Sequence, residues 1–281
     1  MTLADEVALH APETYFESLR RLGRVPAQAA WDLAAGSLRR KIRLGFYRPG
    51  ERLPVERELA EQMGVSRVTI AQALRVLKGE GLVESFGRAG GAIVLAAKLR
   101  PERELLRELR RSESEISDLL VCRDAVERRV AGLAAANRRE LHLEVLGRTL
   151  TPLANATQEL RQARRDMRDA SSIDAMEKAQ TAAIAFRRED SVFHLTLADA
   201  AGNRCLFDLV EELRAKFFAR VELELPYLDF ETQDVAGEHE RILGAVREQD
   251  GERAEEEMQV HIQSIREMIA RTVRQEAPAM A

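Results

Sequence analysis

Cysteine is nearly absent from this chain. Cys122 and Cys205 are the two in 281 residues, and they form no close pair in sequence. That argues against a disulfide scaffold. Reduced thiols and a cytoplasmic setting are expected, with both cysteines packed in a core and not ligating a metal. No apolar run approaches the roughly 18–20 residues that a membrane span requires, so no membrane partner is expected. Met1–His10 contains Asp5 and Glu6 and lacks the apolar centre of a signal peptide. Aromatics are sparse, at 5%, and the chain has no overall positive charge, its formal net charge being -4. The charge is unevenly spread, however. Ser37 to Lys98 holds twelve Lys/Arg against six Asp/Glu, an excess of +6, which leaves -10 elsewhere. A basic module on an acidic body suits a protein that touches phosphates with one part only. Ala, Leu, Glu and Arg are abundant and favour helices, and the length suits two domains.

Gly45 to Val94 organises the rest. Two short apolar-periodic segments flank Met63-Gly64-Val65: Leu59, Met63 and Val65 lie on one side, and Ile70, Leu74 and Leu77 on the other. Gly64 fits a turn that must reverse the chain within three or four residues. Ser66 is a good N-cap for the second helix, whose first turn carries Arg67 and Thr69. A helix-turn-helix places such side chains in the major groove. Leu82-Val83 and Ala92–Leu95, around Gly87-Arg88-Ala89-Gly90-Gly91, predict a hairpin, a wing with Arg88 at its tip. An earlier helix over Ala27–Leu44 carries an apolar stripe of Trp31, Leu33, Ala34, Leu38 and Ile42. Its basic residues Arg39, Arg40, Lys41 and Arg43 suit either a solvated face or nearby phosphate.

The expected organisation is an N-terminal extension (1–25), a winged helix-turn-helix (26–97), a charged linker (98–112), an all-α antiparallel bundle of about six or seven helices (113–276) and a tail (277–281). The fold class is mainly α, with one small β-hairpin. Within the bundle, Ser114–Asn137 is strongly helical. Glu140–Leu150 is a second helix that Pro152 should break or kink, with a charged helix following over Leu153–Ala170. Further helices run from Ser171-Ser172 to about Ala200 and from Leu206 to Leu223. Val235–Glu248 and Glu252–Arg274 form a hairpin around Gln249-Asp250-Gly251.

The run PGERLPVERELAEQMGVSRVTIAQALRVLKGEGLV resembles the signature of GntR-family transcription regulators, winged-helix proteins that bind double-stranded operator DNA as homodimers. The resemblance implies DNA contacts from Arg57, Ser66, Arg67, Thr69 and the wing tip Arg88. The chemistry agrees, since Arg pairs with guanine O6/N7 while Ser and Thr hydroxyls suit phosphate. One position departs: Ala71 stands where the family usually has Arg, which implies a shifted operator sequence or weaker affinity. Arg75, one turn later, is either a partial replacement or a surface charge.

Three of the five histidines fall in a pattern. Asp190 and His194 are four apart and share one helix face. His239 and His261 lie on opposite arms of the last hairpin, each eleven residues from Asp250, or roughly 16 Å along each helix, which sets them at one level. One carboxylate and three imidazoles suit zinc, with nickel or manganese as alternatives; a histidine that merely satisfies a core or a surface is the other reading. EDSVFHLTLADAAGN and GEHERILGAVREQDGERAEEEMQVH resemble the metal-bearing segments of the FCD effector domain of the FadR subfamily. That resemblance implies metal ligation by Asp190, His194, His239 and His261. LVCRDAVERRVAGLAAA is similar to the first FCD helix. A small organic acid effector would fill open metal positions, with Arg123 pairing a second carboxylate and Asn203 adding an amide contact. Arg123 as a partner of Glu127, and Asn203 as a helix-end residue, are the alternatives. His10 and His142 are expected at the surface.

The expectation is a non-enzymatic, effector-controlled transcription regulator acting as a repressor. A metal-free FCD regulator of fatty acids or acyl thioesters would lack these histidines. A metal-dependent enzyme joined to a DNA-binding module would show HExxH, a nucleophile elbow or a placed general base, and none of these is present.

Overall fold

The computed structural model describes residues 29–86, 91–96, 102–169, 173–221, 228, 230 and 234–275. The extension 1–25, the wing tip Arg88 and the tail 277–281 lie outside them. Among the described residues, ten helices and one hairpin follow in order: α1 (Ala30–Arg43), α2 (Glu56–Met63), α3 (Arg67–Gly79), β1 (Val83–Phe86), β2 (Gly91–Val94), α4 (Glu102–Arg111), α5 (Glu113–Asn137), α6 (Glu140–Asp169), α7 (Ile173–Ala200), α8 (Arg204–Val221), α9 (Val235–Glu248) and α10 (Gly251–Gln275). No helix among the described residues is long and apolar enough to cross a membrane.

Local chemistry fixes the first module. Gly64 ends α2 in the left-handed region (φ 64°), where a β-carbon would be strained. Ser66 then caps α3, its hydroxyl accepting from Thr69 N at 3.1 Å. The two strands pair antiparallel with Val83 opposite Val94. Ala35, Leu38, Leu59, Ile70, Leu74, Leu77, Val83 and Val94 form one core. Leu33, expected in the α1 stripe, is instead 57% exposed.

A second, larger core joins α4 to α10. Helix α5 lies at its centre, packed by α7, α8, α9 and α10, while α6 and α7 run as a long antiparallel pair. The segment read as a linker contributes to this core, because α4 buries Leu105, Leu106 and Leu109. Pro152 neither breaks nor ends α6, which runs unbroken across it. Proline in a helix interior costs about 3 kcal/mol, but burial of Leu153, Ala156 and Leu160 against the core on the next two turns outweighs that local preference.

The two modules meet at the C-terminal end of α1. Leu44 is buried in the helical core. At Gly45 (φ 82°) a β-carbon would lie 3.1 Å from Arg188 N and from Ile184 O, so the α7 backbone presses directly on this residue. Of the basic residues on α1, Arg39 pairs with Glu80, while Arg40 and Lys41 reach Glu211 on α8 at 3.0 and 2.6 Å.

Candidate functional site

The outward side of α3 carries the residues expected to read DNA. Arg67 is exposed at its first turn, and Thr69 is half-buried with its hydroxyl 2.8 Å from that of Ser66. Arg57 is exposed on α2, paired with Glu61 at 2.8 Å. Arg75 turns back on its own helix, donating to Ala71 O at 3.3 Å.

The metal-ligand candidates come from three helices: Asp190 and His194 from α7, His239 from α9 and His261 from α10. One ligand atom from each lies within 4.8 Å of all the others, and all four residues are buried, His239 and His261 completely. His194 Nε2 and His239 Nε2 are 3.2 Å apart. Zinc–nitrogen bonds of about 2.0–2.1 Å set two tetrahedral ligand nitrogens roughly 3.4 Å apart, so the spacing fits an ion between them. His261 Nε2 is buried without a hydrogen-bond partner, as a free lone pair meant for an ion would be.

A surrounding layer orients these rings. His261 Nδ1 donates to Glu238 at 2.8 Å, and Glu238 also accepts from the Ser264 hydroxyl at 2.5 Å. His194 Nδ1 lies 2.5 Å from Glu127 Oε2. Carboxylates behind ligand imidazoles fix the tautomer that leaves Nε2 free for the metal. Phe193 stacks on His239, with ring centroids 4.2 Å apart. Two buried guanidiniums complete the cluster. Arg123 donates to Glu127 at 2.6 Å, and Arg214 contacts both Asp190 and Glu127. The faces of Phe217 and Phe218 lie against Arg123 and Arg214.

The electrostatics favour ligation. Burial first, and then Arg214, push His194 down to about 4. Burial and the neighbouring His261 and His194 hold His239 well below the usual histidine range. Both rings are therefore neutral near pH 7, the form that binds metal. Burial would raise the two carboxyls. For Glu127 this is outweighed by Arg123, His194 and Arg214, and for Asp190 by Arg214 first, so both stay ionised.

Arg123 thus sits in the cluster as well as pairing with Glu127. Asn203 is exposed, and its Oδ1 accepts from Leu206 N at 3.1 Å, which starts α8. Arg214 and Glu238 were missed. Arg214 had a signal: it stands at helical spacing from Val210, Phe217, Phe218 and Val221, where an unpartnered charge would be costly. Glu238 had none beyond its place next to His239. Two expectations are corrected. His142 is buried, not superficial, with Nε2 3.2 Å from Asp199 and Nδ1 accepting from Arg139 N. Both cysteines are exposed; Cys122 falls off the Leu120–Arg123–Glu127 face that α5 buries.

Two stretches of the chain match known families. Residues 32–93 match the family described as bacterial regulatory proteins, gntR family, and residues 118–264 match the FCD domain. The HTH-type transcriptional regulator LutR of Bacillus subtilis (strain 168) is 28% identical over 233 residues, covering 82% of this chain and 96% of its own length. The Uxu operon transcriptional regulator of Escherichia coli (strain K12) is 28% identical over 228 residues, 79% of this chain and 80% of its own. The Glc operon transcriptional activator of the same organism is 24% identical over 238 residues, 84% and 87% of the two chains. The FCD match alone spans more than half of the chain. A winged helix-turn-helix with an exposed recognition helix, joined to a helical domain of this type, is the design of a DNA-binding transcription regulator and not of an enzyme; the chain belongs to the GntR family, in the FadR-like branch that carries an FCD domain.

Proposed function

We propose that this protein is a metal-dependent, carboxylate-responsive repressor of the cytoplasm. It binds a pseudo-palindromic operator as a homodimer and releases it when a small organic acid occupies the metal site. One observation carries the reading: three imidazoles and one aspartate converge within 4.8 Å, beside two buried guanidiniums. Zinc suits this donor set, with nickel or manganese as alternatives. Bound there by four protein ligands, an ion with octahedral preference would keep open positions for a carboxylate. With the three imidazoles neutral, Glu127, Asp190 and Glu238 against Arg123 and Arg214 leave the cluster at -1. A divalent ion brings it to +1, and a single organic anion restores neutrality. Arg123 Nη2, buried without a hydrogen-bond partner, is the donor for a second oxygen group of that anion. Asn203 enters through α8, the helix it caps and that bears Arg214.

The route to DNA is short. The helices that hold the cluster also hold α1. On α7, Arg187 Nη1 donates to Arg43 O at 3.2 Å, and on α8, Glu211 accepts from Arg40 and Lys41. A shift of either helix on effector binding bears on the first helix of the reader, with Lys98–Arg111 as a second route. The effector must bind the free and DNA-bound arrangements with different affinity, and DNA then alters effector affinity by the same factor. For the second copy, Val121 on α5 and Val260 on α10 offer apolar surface, both more than half exposed.

The test is elemental analysis of the protein as purified, followed by thermal-shift and duplex-binding measurements with a panel of small mono- and dicarboxylates. A divalent ion in proportion to the chain is expected, lost in His239→Ala, together with an acid that stabilises only the wild type and weakens its hold on DNA. An ion-free native protein whose carboxylate response survives in His239→Ala overturns the metal reading. An acid that strengthens DNA binding overturns release as the mode of control.

A further inference from the structure

Helix α3 has one buried stripe and one outward stripe. Ile70, Ala73, Leu74 and Leu77 face the core. On the opposite side, at i, i+3, i+4 and i+7, run Val68, Ala71, Gln72 and Arg75. A recognition helix turns the N-terminal part of its outward stripe to the base edges. Val68 stands there, 74% exposed, the most open of the exposed large apolar side chains among the described residues.

A single exposed valine needs no explanation on an ordinary surface. Here it lies between Arg67 and Thr69, with Gln72 one turn on. The Thr69 hydroxyl is engaged with Ser66, and Arg75 is folded back on Ala71 O, so both are held by the helix itself. Ala71, small where a long side chain would stand between the helix and the groove, leaves the valine methyl groups open to it. An isopropyl group pressed on a base-edge donor or acceptor strips its water without replacing the hydrogen bond. The one apolar group that bases present in the major groove is the C5-methyl of thymine. We propose that Val68 is a specificity-determining residue that packs on a thymine methyl in the half-site this helix reads. This rests on the DNA-reading role of α3 and assigns it a base.

The experiment enriches duplexes from a random pool with the full-length protein. Each thymine of the enriched duplex is then replaced in turn by deoxyuridine, which removes the methyl group. One position in the half-site should lose about three- to fourfold in wild-type affinity, the worth of one buried methyl, roughly 0.8 kcal/mol. Val68→Ala should be insensitive to deoxyuridine at that position, and Arg67→Ala should keep the loss. Wild type indifferent to every replacement, or Val68→Ala as sensitive as wild type, overturns the proposal. A protein that enriches no duplex overturns the reading role beneath it, a distinguishable failure.

Discussion

The reader and the sensor use charged and polar residues in opposite ways. In the reader, Arg57, Ser66 and Arg67 are exposed, and the partners of Arg57 and Ser66 are Glu61 and Thr69, four and three residues along the chain. In the sensor, Arg123, Glu127, Asp190, His194, Arg214, His239 and His261 are all buried and contact one another across five helices. An exposed residue costs little to keep and changes binding when lost. A buried charge is tolerable only while its partners stay, so loss of one member destabilises the fold as well as the site.

The widest gap between the two regions should come from Glu127→Ala. It strips the shared partner from Arg123, Arg214 and His194, and breaking a buried ion pair in this way costs about 3–5 kcal/mol. Urea unfolding of the variant checks this; a loss below about 1 kcal/mol would erase the contrast. Acid should produce the next largest effect. In chelated protein, His194 titrates at about 4 in the fold and near its ordinary 6.5 when unfolded. Between those values the unfolded chain binds a proton that the native one does not, so stability falls as the pH drops from about 6.5 to 4. That residue alone contributes about 3 kcal/mol. The depressed carboxyls of Glu127 and Asp190 push the same way as the pH falls further. A urea midpoint that stays flat across that range would contradict the burial of these groups. The smallest change belongs to the reader. Arg67→Ala should leave unfolding within about 0.5 kcal/mol of wild type, yet cost about 1–3 kcal/mol of specific DNA binding and relax the base preference. Equal losses on specific and random duplexes would reduce Arg67 to a phosphate contact.

The reader was legible because its determinants are local. Gly64 and Ser66 set a turn and a cap within a few residues, and the apolar positions on either side repeat with the helical period. In the sensor, the i,i+4 pair of Asp190 and His194 and the symmetric placement of His239 and His261 about Asp250 were also visible, because they follow from helix geometry. What failed depended on neighbours far along the chain. Pro152 stays helical because α6 is packed along its length. His142 is buried because Asp199 comes to meet it. Cys122 and Cys205 lie outside because the packing of α5 and α8 turns other faces inward.

By itself, the sequence determined the helix-turn-helix, the hairpin that follows it and the residue types able to hold a metal, since turn chemistry and helical period act over a few residues. Only the tertiary structure decided which charges surround those ligands, that Arg214 and Glu238 join them, and that α1 is fastened to α7 and α8. Each of these depends on which helix faces are brought together. Chain packing selects those faces by total burial, and no short stretch of sequence encodes the outcome.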